Sequence, residues 1–282
     1  MGKGTIIGII VGFGALILGF VLEHGDVMSL FLLSPAIIVL GGTAGALMVS
    51  YSVSDVAKIP KLIKTAASTP KQTLQETLST IHELSVRIKK EGLLVLDQVV
   101  REEEFAKKND PLLVKGLTML MDGMDKNVFR DILENDVYID DQIKKREIAL
   151  FESAGGYSPT LGIIGTVLGL IQVLANMSTP EELAKSIAVA FVATLYGVCF
   201  ANLLYLPIAS KLSLRLKMEK IEKDMIIDGL LAMNDFENPT AIKERLTPYL
   251  RLQATGKSAK KDDSTKAEVK EVSPGHEQTS RR

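Results

Sequence analysis

Apolar residues in this chain are gathered into four long runs that contain no charged residue. The runs extend over Gly4–Leu22, Ser29–Ser50, Tyr157–Met177 and Ser186–Ile208. A helix needs about 20 consecutive apolar residues to cross about 30 Å of hydrocarbon, and each run is close to that length. The pattern therefore predicts a mostly α-helical, polytopic membrane protein with four transmembrane helices.

A second pattern, with an apolar residue every three or four positions, marks the segment between the second and third runs. It predicts helices with one apolar face, and the clearest face is Leu74, Leu78, Ile81, Leu84 and Ile88. Thr69-Pro70, Asp110-Pro111 and Asn238-Pro239 each pair a capping side chain with a proline at the first helical position. These three dipeptides predict three helix starts.

The two patterns divide the chain into five segments. Residues 1–50 hold the first two spans, 51–155 a helical cytoplasmic domain, 156–208 the other two spans, 209–253 a helical extension, and 254–282 a polar tail. The tail has too few large apolar residues to offset the entropy lost on ordering, so it is predicted to be disordered.

Positive charge is unevenly distributed around the runs. Sixteen Lys and Arg residues lie in residues 51–155, whereas the two short connections, 23–28 and 178–185, contain one, Lys185. Because loops rich in Lys and Arg stay on the cytoplasmic side, the long segment and both termini are predicted to be cytoplasmic. Both short connections are then outside.

The third and fourth runs contain no Asp, Glu, Lys, Arg or His. Proteins that move ions normally place an ionisable residue at membrane depth, so a titratable group would have to come from a partner. Small residues recur four apart and indicate helices packed closely against others. They are Gly4, Gly8, Gly12, Gly41, Gly45, Gly165, Gly169, Ala193 and Gly197.

Hydroxyl and proline residues in the third and fourth runs are candidates for lining an ion path. Thr166 and Thr194 lie near their middles, and Pro159, seven residues before Thr166, shares its helical face. Pro207 cannot donate to the carbonyl of Leu203, which leaves that oxygen free. Neutral oxygens are the ligands that a hard cation such as sodium prefers. The alternative is structural, with threonine bonded to the preceding turn and proline producing a kink.

The stretches GGYSPTLGIIGTVLGLIQVLANM and AVAFVATLYGVCFANLLYLPIASKL resemble the third and fourth spans of flagellar motor stator A subunits, the MotA/PomA family. The resemblance extends to the order of four spans and to a cytoplasmic domain containing KKEGLLVLD. It implies five copies in a bacterial inner membrane around two single-span B subunits, each with a membrane aspartate and a peptidoglycan-binding domain. Ion passage would turn this ring, and the cytoplasmic domain would turn the rotor switch protein.

The resemblance also implies roles for residues in the spans. Pro159 and Pro207 match the family's two functional prolines, and Thr194 matches a threonine that lines the ion path. Thr166 falls where sodium-driven members are similar to this sequence and where proton-driven members more often carry a small residue. Sodium is therefore the favoured ion and the proton the alternative.

Rotor contacts are implied for the stretch around KKEGLLVLD. Lys89 and Asp97 match the family's basic and acidic contacts, and Arg87 and Lys90 lie beside them. The family often has arginine and glutamate at the matched pair, where this chain has lysine and the shorter aspartate. An ordinary solvated helix face is the alternative.

Other functions fit the sequence less well. An energiser subunit of outer-membrane transport typically has three spans, and a non-conducting membrane scaffold leaves the threonines and prolines without a role. An enzyme is not expected, because no Ser-His-Asp set, metal-ligand cluster or phosphate loop is visible. His24, His82 and His276 are far apart. The sequence predicts no cofactor, no bound metal and no nucleic-acid partner, while membrane lipids are expected partners.

Overall fold

The computed structural model describes residues 2–68, 73–175 and 180–252. Across these ranges the regular structure is helical and includes no strand, which confirms the mostly α-helical prediction. The contacts group the chain into two compact units. The first, the span unit, contains Met1–Pro70 and Tyr138–Lys217, and the second, the helical unit, contains Lys71–Val137 and Met218–Arg282. The division of the chain into five segments remains a prediction from the sequence.

The first part of the span unit contains five helices. Helix α1 covers Gly2–Leu22, and a 3₁₀ turn at Val27–Leu30 leads to α2, Leu33–Ala36. A π-helical turn at Ile37–Gly41 joins α2 to α3, Gly42–Ser50, and the chain continues with α4, Val53–Val56, and α5, Ile59–Ala67. The side chain of Ser52 accepts from the backbone N–H of Asp55 and so begins α4.

The helical unit begins with four shorter helices. They are α6, Leu74–Glu91; α7, Val95–Arg101; α8, Glu103–Lys108; and α9, Pro111–Met121. Thr73 and Glu76 form a reciprocal capping box at the start of α6, and Gly92, at φ +82°, ends it. The predicted apolar face of α6 is buried at all five positions.

Long helices make up the rest of the described chain. Helix α10 covers Lys126–Ala175, and α11, Pro180–Phe200, continues through a π-helical turn at Ala201–Tyr205 into α12, Leu206–Asn234. A last helix, α13, covers residues 239–252. The ring of Pro207 would clash with the carbonyl of Leu203 in regular α geometry, and the wider π turn lies where that clash would occur.

Three helical stretches are long and apolar enough to cross a membrane. They are Val27–Ser50, Lys126–Ala175 and Ser186–Asn234, and Ile7–Leu22 is a shorter apolar helix. The described parts of the four apolar runs all lie on these helices, which is compatible with four spans. The helices of the third and fourth runs continue well beyond the about 20 residues that hydrocarbon requires.

Two of the three predicted helix starts are confirmed. Asp110 accepts from the backbone N–H of Leu112 at 2.8 Å with Pro111 at the first turn, and Asn238 accepts from Thr240 at 3.0 Å. Thr69-Pro70 lies outside the described residues, as does the tail predicted to be disordered. Of the predicted extension at 209–253, residues up to Asn234 lie in α12 and residues 239–252 in α13.

Each unit has its own apolar core. In the span unit, α5 contributes Leu62 and Ala66 to a cluster with Phe151 of α10 and Ile208 of α12. In the helical unit, the apolar face of α6 joins α9, the first turns of α10 and the end of α12.

Candidate functional site

Helices α10 and α11 approach each other through glycines that leave no room for a side chain. A Cβ atom on Gly162 would lie 2.9 Å from the carbonyl oxygen of Ala193 and 3.1 Å from the Cα atom of Thr194. A Cβ atom on Gly197 would lie 3.2 Å from the Cα atom of Pro159. These obstacles are backbone atoms, so the glycines set the helix separation.

Thr166 and Thr194 meet at this close approach. The Oγ1 atoms of the two residues are 2.5 Å apart, and Thr166 Oγ1 is 2.9 Å from the carbonyl oxygen of Ala190 and 3.2 Å from that of Gly162. Thr194 Oγ1 lies 3.4 Å from the same Gly162 oxygen. The structure therefore gathers two hydroxyls and two carbonyls into one cluster of neutral oxygens.

The hydroxyl cluster is satisfied internally as it stands. Each hydroxyl has one proton to donate and two lone pairs to accept, so one threonine can donate to the other, which donates to a carbonyl. The surplus lone pairs are the kind of ligand that a hard cation takes. No formal charge lies within the cluster, and a desolvated cation needs a counter-charge, so these oxygens alone are an incomplete cation site.

Metal-binding side chains do not gather elsewhere in the described residues. No group of three or more His, Cys, Asp or Glu that could hold a metal ion occurs there.

The prolines and Leu203 occupy different parts of the same helical pair. Pro159 is half-buried inside α10 and faces Gly197. Leu203 lies in the π turn, and its side chain packs against α1, where a Cβ atom on Gly12 would be 3.0 Å from Leu203 Cδ2. Pro207 is exposed and lies about 20 Å along the helix from Thr194, at 1.5 Å per residue. Thr166 and Thr194 are thus brought together. Pro159 lies about 10 Å from Thr166 along α10, against Gly197, and Leu203 and Pro207 lie further along α11 and α12.

Two residues near the threonine pair were not predicted from sequence. Ser158 is fully buried and its Oγ donates to the carbonyl of Gly197 at 3.0 Å. Its position four residues before Gly162 places it on the same helix face, which is a signal the spacing contained. The hydroxyl of Tyr196 donates to the carbonyl of Leu30 and accepts from the N–H of Leu32 at 3.2 Å. No local pattern indicates that long-range contact.

The four predicted rotor-contact residues lie on either side of the turn between α6 and α7. Lys89 and Lys90 are exposed in the last turn of α6, Arg87 is half-exposed, and none of the three has an ion pair within the described residues. Asp97 instead pairs with Arg101, whose Nε is 2.9 Å from both carboxylate oxygens. Within the turn itself, Leu94 is 85% exposed.

Two family models match the chain. The model described as "Motility protein A N-terminal" matches residues 6–92, and the one described as "MotA/TolQ/ExbB proton channel family" matches residues 105–225. Together they cover most of the described structure, including α1–α3, α6, the α10–α11 pair and most of α12.

Similar proteins match over nearly the whole length. Motility protein A of Bacillus subtilis is 32% identical over 96% of this chain and 99% of its own. The chemotaxis protein PomA of Vibrio alginolyticus is 31% identical over 89% of this chain and 96% of its own. A solved structure of the flagellar MotAB stator complex from Bacillus subtilis matches with a TM-score of 0.80 at 32% identity, covering 90% of this chain and 98% of that one.

The second family description also includes the transport energisers TolQ and ExbB, whereas the N-terminal one is specific to motility proteins. With the N-terminal match, the full-length relatives and the stator fold all agreeing, the chain belongs to the MotA/PomA family of flagellar motor stator A subunits.

Proposed function

We propose that this subunit forms the neutral wall of an ion path, against which the carboxylate of a second subunit loads and releases a sodium ion. The observation that carries the proposal is the cluster of Thr166 and Thr194 hydroxyls with the carbonyls of Gly162 and Ala190. The apolar runs around it supply no charge, so the negative group comes from the partner.

Sodium is favoured over the proton because of the second hydroxyl. A dehydrated sodium ion needs several oxygen ligands, and Thr166 adds one to those that Thr194 and the carbonyls offer. A proton moves between hydrogen-bonded groups and needs no such shell. The family description names a proton channel, which keeps the proton as the alternative.

The partner in this proposal is a B-type subunit with one span and a membrane aspartate. Support comes from the similar Bacillus subtilis protein, which was solved as part of a MotAB complex. The A subunits form a ring, taken as five copies, in the bacterial inner membrane with both termini in the cytoplasm. Lys89, Lys90, Arg87 and Asp97 then face the rotor switch protein, where charge complementarity sets recognition and encounter rate.

The ion is tested by the dependence of swimming speed on external sodium at constant pH and membrane potential. The native protein should give a speed that rises with sodium. Thr166→Ala should need more sodium for the same speed, because it removes one oxygen ligand. Thr160→Ala is the matched control, since Thr160 is exposed on the same helix and, among the described residues, its hydroxyl bonds only the carbonyl of Tyr157. A speed that follows the proton gradient alone would exclude sodium.

The need for a partner carboxylate is tested separately by ion flux into liposomes. The purified chain alone should carry no flux, and the complex with its B-type subunit should carry it once assembled. Flux through the chain alone would contradict the proposed division of roles. Deletion of the gene should stop swimming while leaving filaments in place, whereas loss of an energised uptake process with normal swimming would favour the transport alternative.

A further inference from the structure

Helix α5 presents two different faces. Leu62 and Ala66 point into the core of the span unit and are almost fully buried. Lys61 and Lys64 are exposed, and at 100° per residue they lie on the side of the helix opposite that buried pair. The helix is thus fixed by its apolar face and shows positive charge outward.

The two outward lysines differ from the lysine before them. Lys58 Nζ is 3.4 Å from the Asp55 carboxylate and 3.9 Å from that of Glu147, so protein groups balance its charge. Lys61 and Lys64 have no ion pair or hydrogen bond within the described residues. Two neighbouring ammonium groups are therefore left to find their counter-charge outside the described chain.

Both ends of α5 are held, so the lysines are not on a loose segment. Arg215 of α12 donates from Nη1 to the carbonyl oxygen of Thr65 and to Ser68 Oγ, each at 2.9 Å. Just before the helix, Asp55 accepts from Ser52 Oγ at 2.7 Å and contacts Arg146 Nη2 at 2.8 Å. These contacts fix the direction in which the outer face of α5 points.

The helix also lies close in sequence to the end of the second predicted span. It begins nine residues after α3 ends at Ser50, and it packs against α1. Two apolar side chains are exposed here, Val53 of α4 at 68% and Ile63 of α5 itself at 38%. Lysine with exposed aliphatic side chains at the end of a span is the composition that suits the boundary between headgroups and acyl chains.

We propose that Lys61 and Lys64 bind the phosphate groups of anionic membrane lipids, with Val53 and Ile63 against the upper acyl chains. Charge complementarity favours this occupant, because a lipid supplies both a negative phosphate for the lysines and an apolar chain for the exposed aliphatic side chains. A second copy packed on the same face would bring lysine against lysine. Lipid binding here needs only that the chain spans a membrane, so it is independent of the ion and the rotor.

The test uses the full stator complex in detergent, titrated with a short-chain phosphatidylglycerol, with bound lipids resolved by native mass spectrometry. Removing each lysine should weaken phosphatidylglycerol binding about fivefold, so Lys61→Gln/Lys64→Gln should weaken it about twenty-fivefold. Binding of a zwitterionic phosphatidylethanolamine should change little. Raising the ionic strength should reduce the difference between variant and native complex.

Matched variants separate a site from a general effect of charge. Lys61→Arg/Lys64→Arg keeps both charges and should retain binding. Lys107→Gln/Lys108→Gln removes two exposed lysines of α8, in the helical unit, and should also retain it. Equal affinity of the Lys61→Gln/Lys64→Gln complex and the native complex would overturn the proposal. An equal loss in the Lys107→Gln/Lys108→Gln complex would do the same.

Other occupants of the α5 surface give different outcomes, each of which contradicts lipid binding. A changed subunit count in Lys61→Gln/Lys64→Gln would identify the surface as a contact between copies. Competition by soluble glycerol phosphate as strong as by the lipid would identify a free phosphate site. Lost association with the rotor protein, with lipid affinity unchanged, would identify a protein partner.

Discussion

At the scale of single residues, the missing side chains of glycine position the polar groups. Gly162 and Gly197 let the backbones of α10 and α11 come close enough for Thr166 to reach Thr194 and the carbonyl of Ala190. A threonine side chain is short. At an ordinary interaxial distance of 8–10 Å, without this close approach of the backbones, the two hydroxyls could not form the cluster. The oxygen cluster therefore depends on the glycines as much as on the hydroxyls.

We expect Gly162→Ala to destabilise the span unit by about 1–3 kcal/mol, because the new methyl group would press on the backbone of α11. Gly156→Ala is the matched control on the same helix, since a Cβ atom there meets nothing within 4 Å. It should be neutral or stabilising by up to about 1 kcal/mol. Thermal unfolding in one detergent measures both, and equal stability of the two variants would contradict the close approach.

Glu222 makes the stability of the helical unit depend on pH. Burial raises the pKa of this carboxyl above its ordinary value of 4.5; Thr77, which donates to it at 2.8 Å, and Lys223 oppose the shift, whereas Asp110 and Glu219 add to it. Above pH 4.5 the folded state then holds more protons than the unfolded state, so stability falls as pH rises through the raised pKa. We expect Glu222→Gln to raise the melting temperature at neutral pH, with the gain disappearing below about pH 4.

Glu76 provides a control of opposite sign in the same unit. Its bonds to the backbone N–H and side chain of Thr73 lower its pKa. The stability it adds is present above its unfolded pKa and is lost as pH falls through its folded pKa. Glu76→Gln should therefore lower the melting temperature at neutral pH. A melting temperature that shifts in the same direction in both variants would contradict the opposite effects expected from the two carboxyls.

At the scale of elements, a tyrosine on α11 connects two helical segments far apart in sequence. The Tyr196 hydroxyl bonds both Leu30, in the 3₁₀ turn, and Leu32, which precedes α2. Within the part of the chain that the structure describes, Asp26 in the turn after α1 bonds only locally, to Met28 and Ser29. The connection between the first two apolar runs is thus held in place by a residue of the fourth run.

We expect Tyr196→Phe to cost about 1–3 kcal/mol, since it removes two hydrogen bonds worth roughly 0.5–1.5 kcal/mol each. Hydrogen exchange of residues 27–32 should speed up, while exchange in α6 stays unchanged. Tyr138→Phe is the control, because Tyr138 is 59% exposed and its hydroxyl has no hydrogen bond within the described residues. Unchanged exchange at 27–32 in Tyr196→Phe would mean that the turn is held by other contacts.

At the scale of the whole molecule, the charges proposed to contact the rotor differ in whether they already have an ion-pair partner among the described residues. Lys89 and Lys90 have no ion pair within the described residues, whereas Asp97 is held by Arg101. An exposed pair of this kind contributes little to stability, so Asp97 can exchange Arg101 for a charge on another protein. Lys89 and Lys90 can pair with a charge on another protein without first leaving an ion pair of the described residues.

We expect Lys89→Glu to reduce swimming strongly while changing the free energy of unfolding by less than about 0.5 kcal/mol, because a surface charge away from any partner adds little to the fold. Lys243→Glu reverses an exposed charge on α13 and should leave swimming intact. Swimming on soft agar and thermal unfolding of the purified protein measure the two effects. Equal motility of Lys89→Glu and the native strain would remove this lysine from the rotor surface.

Helix type and helix faces could be read from the sequence because they depend on local periodicity. Predicting the apolar face of α6 needed only the spacing of residues in neighbouring turns, and predicting the caps at Asp110 and Asn238 needed only standard capping chemistry. The reach of Tyr196 and the burial of Glu222 could not be read in this way. Each depends on which distant segment lies opposite, and no spacing within one helix contains that information.

The sequence by itself determined that this is a helical membrane protein whose third and fourth apolar runs carry no charge, because hydrocarbon excludes charge whatever the partner helix. It also determined that Thr166 lies on the same helix face as Pro159, because helical geometry is local. Only the tertiary structure decided that Thr166 meets Thr194, that two carbonyls complete the oxygen cluster, and that Lys61 and Lys64 face outward from a helix held at both ends. These depend on the close approach of separate backbones, which only the folded packing sets.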